Sequence, residues 1–234
     1  LDLSGSTNGL INDVRDHLWL MANTLKCAHP EAELRIGVVG FSRPSFGKNS
    51  GYVKVLADLT NNIDYVAQEL YKLKPSIEAG DQIVSAALSN CLDRVHWSKD
   101  PSAHKTIFIA GNGMVNADGY QYVKWCEEAA ERNIVINSLY IPKGGRIMNE
   151  LPGWRRIATI THGIQSEISI NAIDEMSVFD GDYERVLQLN NKFNSTFFWV
   201  GRDSSICARS QFSADSGAYF SGSKDVFFNR VFYK

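Results

Sequence analysis

The sequence lacks several features that mark common classes of protein. It has no run of about 18 apolar residues, so a transmembrane helix is not expected. Its 24 basic and 26 acidic residues leave a net charge of −2, which does not favour nucleic acid as a partner. Neither a Gly-x-Ser-x-Gly elbow nor a phosphate-binding P-loop occurs. The motifs of two large groups of enzymes are therefore absent.

The cysteines and histidines also lack the spacing of metal or redox sites. The four cysteines lie far apart and form no Cys-x-x-Cys pair, which argues against a zinc site or a redox motif. The five histidines show no i, i+4 spacing, so no metal ligation is assigned to them. Cys91 and Cys126 fall on amphipathic helical patterns. For these two residues we expect buried free thiols, and a disulfide among Cys27, Cys91, Cys126 and Cys207 is the alternative.

What the sequence does contain is a regular alternation of strand and helix patterns. Short β-branched runs predict strands, and apolar residues three or four positions apart predict helices. The predicted strands are 34–41, 52–59, 105–110, 134–141 and 164–170, and the predicted helices are 8–27, 62–73, 82–95, 120–133 and 148–162. This alternation predicts an α/β fold with a doubly wound, mostly parallel open sheet and helices on both faces.

The pattern changes after residue 170. Residues 182–194 predict one more helix, whereas residues 204–234 are polar and aromatic with no clear period. We therefore predict a domain over residues 1–170, whose first strand is truncated at its start, and an irregular C-terminal extension over residues 171–234. Because exposed rings are unfavourable in water, we expect the extension to pack on the domain or on a neighbour, where it would support assembly.

The opening segment Leu1–Ser6 has the pattern of a buried strand that ends in a polar turn before a helix. Asp2, Ser4 and Ser6 place three oxygen donors on one short turn, and Mg²⁺ prefers oxygen ligands. In open parallel sheets, ligands bind at the carboxyl ends of strands where the strand order reverses. We expect the loop after Ala110 at the same edge. Because the chain opens within a strand, we also expect further residues before Leu1 in the natural protein.

The pattern Asp-x-Ser-x-Ser over residues 2–6 resembles the first segment of the metal-ion-dependent adhesion site of von Willebrand factor A (vWA) domains. Two later segments strengthen the resemblance, because Gly80-Asp81 precedes a predicted helix and Gly111-Asn112 ends a predicted strand. With Trp97 between them, they are similar to a bacterial vWA subgroup that has a Gly-Asp loop and a C-terminal tail. The tail pattern of this subgroup resembles residues 189–197. The resemblance covers residues 1–170 well and the tail loosely.

The resemblance implies a Mg²⁺ site formed by Asp2, Ser4, Ser6, Asp81 and Asn112. Asn112 stands where the family has an aspartate, so one negative charge is lost. We therefore expect Mg²⁺ to bind more weakly than in an intact site, with a metal-free site as the alternative. The residues alone leave other roles open: Asp81 as a helix N-cap, Asn112 as a turn residue, and the two serines as helix caps.

The resemblance also implies a function. It predicts a non-enzymatic module for protein binding, adhesion or assembly, in which the metal keeps one coordination position for a Glu or Asp carboxylate of a partner protein. It implies an exported bacterial protein, in the periplasm, at the cell surface or outside the cell.

The alternative is a haloacid dehalogenase-like phosphatase with Asp2 as the nucleophile. Residues 2–7 resemble the Asp-x-Asp-Gly-Thr loop of those enzymes. In that loop the second aspartate is the general acid, and Ser4 takes its place here. Because a serine hydroxyl cannot protonate a leaving group at neutral pH, we predict that the chain is not an enzyme.

Overall fold

The computed structural model describes residues 1–7, 9–74, 83–143, 147–169, 183–201, 204–220 and 224–233. The α-helices are α1 Leu10–Ala28, α2 Ile63–Lys72, α3 Val84–Asp93, α4 Gln121–Glu131, α5 Ile147–Ile160, α6 Tyr183–Asn194, α7 Ser204–Phe220 and α8 Lys224–Tyr233. The strands are β1 Ile36–Gly40, β2 Lys54–Thr60, β3 Lys105–Gly111, β4 Ile134–Tyr140 and β5 Gln165–Glu167. This alternation of strands and helices confirms the predicted α/β class. None of the helices in these ranges is long and apolar enough to cross a membrane.

The helix boundaries follow from local chemistry. The α2 helix begins after Asn62, whose side-chain oxygen accepts a hydrogen bond of 3.0 Å from the backbone N–H of Tyr65. Asp64 lies in the first turn of α2 and Lys72 in its last turn, where their charges complement the helix dipole. Asn62 is therefore the N-cap of this helix.

The strands form two small sheets. One sheet pairs β1 with β2, and the other has the order β3-β4-β5. Its pairs are parallel, with Lys105 opposite Ile134 and Ser138 opposite Gln165.

The segment Leu1–Leu3 is hydrogen-bonded to a strand of the second sheet and to the residue that follows β1. The backbone N–H of Asp2 donates to the carbonyl of Ala110 at 2.9 Å. The N–H of Leu3 donates to the carbonyl of Phe41 at 2.9 Å, and the N–H of Phe41 donates to the carbonyl of Leu1 at 3.0 Å. These bonds bring the loop after Leu3 beside the last residues of β3.

The chain divides into two compact units. The first unit contains Leu1–Ile11, Gly37–Leu59 and Lys74–Asn171. Its core includes residues of β3, β4 and helices α3 to α5, among them Leu88, Ile136 and the fully buried Trp154. Trp97 and Trp125 are partly buried against this core.

The second unit contains Asn12–Ile36, Thr60–Leu73 and Ala172–Lys234. Helix α2 and most of α1 thus belong to the same unit as helices α6 to α8. The domain boundary predicted at residue 170 stays a prediction. Arg230 of α8 is buried and forms ion pairs with Asp64 of α2 at 2.8 Å and with Asp215 of α7 at 3.3 Å. Its guanidinium also lies 4.6 Å from the ring centre of Trp19. One buried cation of α8 therefore contacts side chains from three other helices.

The prediction of an irregular C-terminal extension is wrong for α7 and α8. The buried residues of α7 are small or polar: Ser210, Gln211, Ala214, Asp215 and Ala218. Larger apolar residues of the same helix, such as Phe212 and Phe220, are exposed. Because apolarity does not follow the buried face, the sequence carries no apolar repeat at helical spacing.

We expect Arg230→Met to lower the free energy of unfolding by about 3–5 kcal/mol, because it leaves the carboxylates of Asp64 and Asp215 without their shared cation. Chemical denaturation monitored by circular dichroism measures this loss. The matched control is Arg209→Met on α7, whose side chain is exposed, and we expect a change within about 0.5 kcal/mol. Equal losses in the two variants would contradict a stabilising role for the buried ion pairs.

Candidate functional site

The loop after Leu3 is held by its own hydrogen bonds. The hydroxyl of Thr7 donates to the carbonyl of Asp2 at 2.9 Å and lies 3.1 Å from the carbonyl of Ser4. The backbone N–H of Ser4 donates to Oδ1 of Asp2 at 2.9 Å. Thr7 is buried and was not among the predicted site residues. Thr7 directly follows Ser6 and is the third hydroxyl residue of the turn. This sequence signal could have identified it.

Side chains from two distant loops meet beside this turn. The hydroxyl oxygens of Ser4 and Ser6 lie 2.8 Å apart. The hydroxyl of Ser6 donates to Oδ1 of Asn112 at 2.9 Å, although the two residues are 106 positions apart in sequence. The structure therefore brings together three of the predicted site residues in one hydrogen-bonded chain of oxygen atoms.

Asp2 lies at the base of this chain and has no exposed surface. Burial raises the pKa of its carboxyl above the usual 3.8, while hydrogen bonds from Ser4 and from the backbone N–H of Asn112 act in the opposite direction. A Cβ at position 111 would lie 2.7 Å from Cβ of Asp2, so only glycine fits beside it. The buried carboxylate of Asp2 thus holds the backbone of this loop in place through hydrogen bonds.

The third predicted loop, which contains Asp81, lies outside the described residues. Within the described ranges, no group of three or more His, Cys, Asp and Glu residues is placed to hold a metal ion. The oxygen donors that do converge are a carboxylate, two hydroxyls and an amide, all of the hard type that Mg²⁺ prefers. By ligand type the donors fit such an ion, with Asp2 as their one formal negative charge.

A lysine adds positive charge at the same place. Nζ of Lys143, three residues after β4, lies 3.5 Å from the backbone carbonyl of Ser6. Its side chain is exposed. An ammonium group here opposes a bound cation and favours an anionic group of a partner. No motif in the sequence links Lys143 to this loop, so sequence reasoning missed it.

A buried acid holds the loop that carries Asn112. Oε2 of Glu150 accepts hydrogen bonds of 2.9 Å from the backbone N–H of Gly113 and from the hydroxyl of Tyr140. The indole N–H of Trp154 donates to the carbonyl of Gly113 at 2.9 Å. Glu150 lies in the first turn of α5, where acids are common, and nothing in its sequence context marks it. Glu150 therefore positions Gly113, the residue that follows Asn112.

No protein-family model matches the sequence, and no curated protein matches it. Solved structures do match. The BatB protein of Bacteroides thetaiotaomicron, described as a conserved hypothetical protein, aligns over 72% of this chain and 87% of that chain with a TM-score of 0.51 and 14% identity. The SpRpn10 VWA domain aligns over 77% of this chain and 95% of that chain with a TM-score of 0.52 and 9% identity. At these identities the likeness concerns the fold alone.

We expect Glu150→Ala to lower the free energy of unfolding by about 1–3 kcal/mol, because the Gly113 N–H and the Tyr140 hydroxyl lose their acceptor. Glu150→Gln keeps a side-chain oxygen and should cost less. Chemical denaturation gives both values. Hydrogen exchange at the Gly113 amide should accelerate in the alanine variant. Equal losses in the two variants, with unchanged exchange, would contradict this role of Glu150.

A pH dependence follows from Tyr140. Burial and the neighbouring Glu150 raise its pKa to about 12 from the usual 10.0. The folded chain therefore keeps this proton in a pH window where the unfolded chain has lost it, so stability falls as pH rises above 10.0. We expect Tyr140→Phe to reduce the slope of unfolding free energy against pH in that window, measured by chemical denaturation. Identical slopes would contradict the assignment.

Proposed function

We propose that this chain, which has a vWA-type fold, is a non-enzymatic module for protein binding or assembly. The observation that carries the proposal is the hydrogen-bonded chain from Ser4 through Ser6 to Asn112. It supports one shared site formed by loops that are far apart in the sequence. The proposed partner is a protein that offers a Glu or Asp carboxylate to this site.

The proposal includes a single doubly wound sheet. The bonds of Leu1–Leu3 to Phe41 and to Ala110 support a strand order of β2-β1-(1–3)-β3-β4-β5. In that order, β1 and β2 lie on one side of Leu1–Leu3. The later strands β3, β4 and β5 lie on the other side. The order reverses at Leu1–Leu3. Ligands of open α/β sheets bind at such a reversal, beyond the carboxyl ends of the strands.

The residues proposed to hold Mg²⁺ are Asp2, Ser4, Ser6, Asp81 and Asn112. A bound ion would offer one coordination position to the carboxylate of the partner. Asn112 supplies a neutral oxygen where an acid would add charge, and Lys143 adds a positive charge nearby. The free chain should therefore bind the ion weakly. A partner carboxylate supplies the absent charge, so the ion and the partner should bind cooperatively.

The chemistry of the loop supports a binding module over a phosphatase. Ser4 stands where such an enzyme needs a second acid, and a serine hydroxyl cannot protonate a leaving group at neutral pH. Ser4 and Ser6 are hydrogen-bonded to each other and neither is an acid. The loop is therefore better suited to holding a ligand than to transferring a phosphoryl group.

We expect Asn112→Asp to tighten the binding of Mg²⁺ about tenfold, because it restores a carboxylate to the oxygen chain. The matched control is Asn116→Asp, which adds the same charge to the same loop outside that chain. Asp2→Ala should remove binding. Isothermal titration calorimetry of the four proteins measures these affinities.

Two results would count against the proposed metal site. One is an equal gain in Asn112→Asp and Asn116→Asp, since the added charge would then act only through the general field of the protein. The other is unchanged binding in Asp2→Ala. Circular dichroism of each variant would separate loss of the site from loss of the fold.

A further inference from the structure

A short stretch after α6 exposes four consecutive apolar side chains. Phe197, Phe198, Trp199 and Val200 are exposed by 38%, 90%, 39% and 87%. Leu189 and Phe193, which lie one turn apart on α6, are also exposed. The ring centres of Phe193 and Phe197 are 5.0 Å apart, and those of Phe197 and Trp199 are 5.4 Å apart. Phe193, Phe197 and Trp199 thus form one continuous cluster of rings. Together with Leu189, Phe198 and Val200 of the same stretch, they are named the aromatic patch.

Helix α6 is fixed with its polar side inward. Asn190 is buried, and the side-chain amides of Asn190 and Asn194 donate to Oδ2 of Asp215 at 3.4 and 2.8 Å. Nε2 of Gln211 donates to Oδ1 of Asn194 at 2.9 Å. The outward aromatic patch is therefore held in place by specific hydrogen bonds.

A lysine lies on the same face of α6 as the patch. Lys192 comes three residues after Leu189, so the two side chains are neighbours on the helix surface. The side chain of Lys192 is exposed, and it forms no ion pair within the described ranges. In the described parts of residues 183–220, Glu184 is the one exposed acid. The patch thus combines apolar rings with unneutralised positive charge.

We propose that the aromatic patch binds the surface of an anionic lipid bilayer. Phenylalanine and tryptophan rings favour the membrane interface, where the ring contacts acyl chains and the indole N–H reaches the headgroups. Lysine and arginine beside such rings are attracted to anionic headgroups. An exposed apolar run of this kind is unfavourable in water without a covering partner.

Charge complementarity favours a lipid surface over a second copy of this chain. Two copies meeting through the patch would bring the Lys192 ammonium groups of both copies toward each other. An anionic bilayer neutralises this charge while it covers the rings. The patch contains none of the residues of the site at Asp2, so this proposal stands or falls separately from the proposed function.

The test uses the full chain and vesicles of phosphatidylcholine, with and without phosphatidylglycerol. In a flotation assay the chain should bind the vesicles that contain phosphatidylglycerol and bind pure phosphatidylcholine less. The double variant Phe198→Ser/Val200→Ser should lower the bound fraction about tenfold. The matched control is Met148→Ser on α5, where the side chain is 84% exposed and lies outside the patch, and its binding should equal that of the unmodified chain.

A second variant tests the charge. Lys192→Gln should weaken binding to the anionic vesicles and reduce its dependence on salt. Because Phe198 and Val200 are almost fully exposed, circular dichroism should show an unchanged fold in the double variant.

Three outcomes would overturn the proposal. The first is no vesicle binding by the unmodified chain, and the second is equal binding by Phe198→Ser/Val200→Ser. The third is a dimer, seen by analytical ultracentrifugation, that the double variant dissociates while vesicles leave it unaffected. That result would make the patch an interface between copies.

Discussion

The candidate site depends on the backbone hydrogen bonds of Leu1–Leu3. Bonds to Phe41 on one side and to Ala110 on the other leave the loop after Leu3 beside the end of β3. Only in that position can the hydroxyl of Ser6 reach the amide of Asn112. The same placement buries Asp2 and requires glycine at position 111. A few main-chain bonds thus determine both the donors at the site and the space around them.

Each unit buries charged side chains and compensates them differently. In the first unit Asp2 accepts a hydrogen bond from the N–H of Ser4, and Glu150 accepts hydrogen bonds from the N–H of Gly113 and the hydroxyl of Tyr140. These buried acids therefore order the loop after Leu3 and the loop that contains Asn112. In the second unit Arg230 is paired with two carboxylates. A buried charge is tolerated only when such partners are supplied, because desolvation is costly. Buried acids therefore position the site, and a buried cation joins the helices.

Prediction from sequence succeeded where local patterns are strong. The helix capped by Asn62 and the parallel strands β3 and β4 lie close to their predicted ranges, because capping residues and β-branched runs act over a few residues. It failed for α7, whose buried face holds small and polar residues. It also missed Glu150 and Lys143, since nothing in the adjacent sequence connects either residue with the loops that it contacts.

The sequence by itself determined the order of strands and helices from α1 to α6 and the chemical types at the site: Asp2, Ser4, Ser6 and Asn112 are oxygen donors in any fold. Only the tertiary structure decided which of these oxygens meet, and that the aromatic side of α6 faces outward while Asn190 faces inward. The physical reason is the distance along the sequence over which each interaction acts. Propensity and capping act within a few residues, whereas the contact between Ser6 and Asn112 spans 106 positions and exists only once the strands have paired.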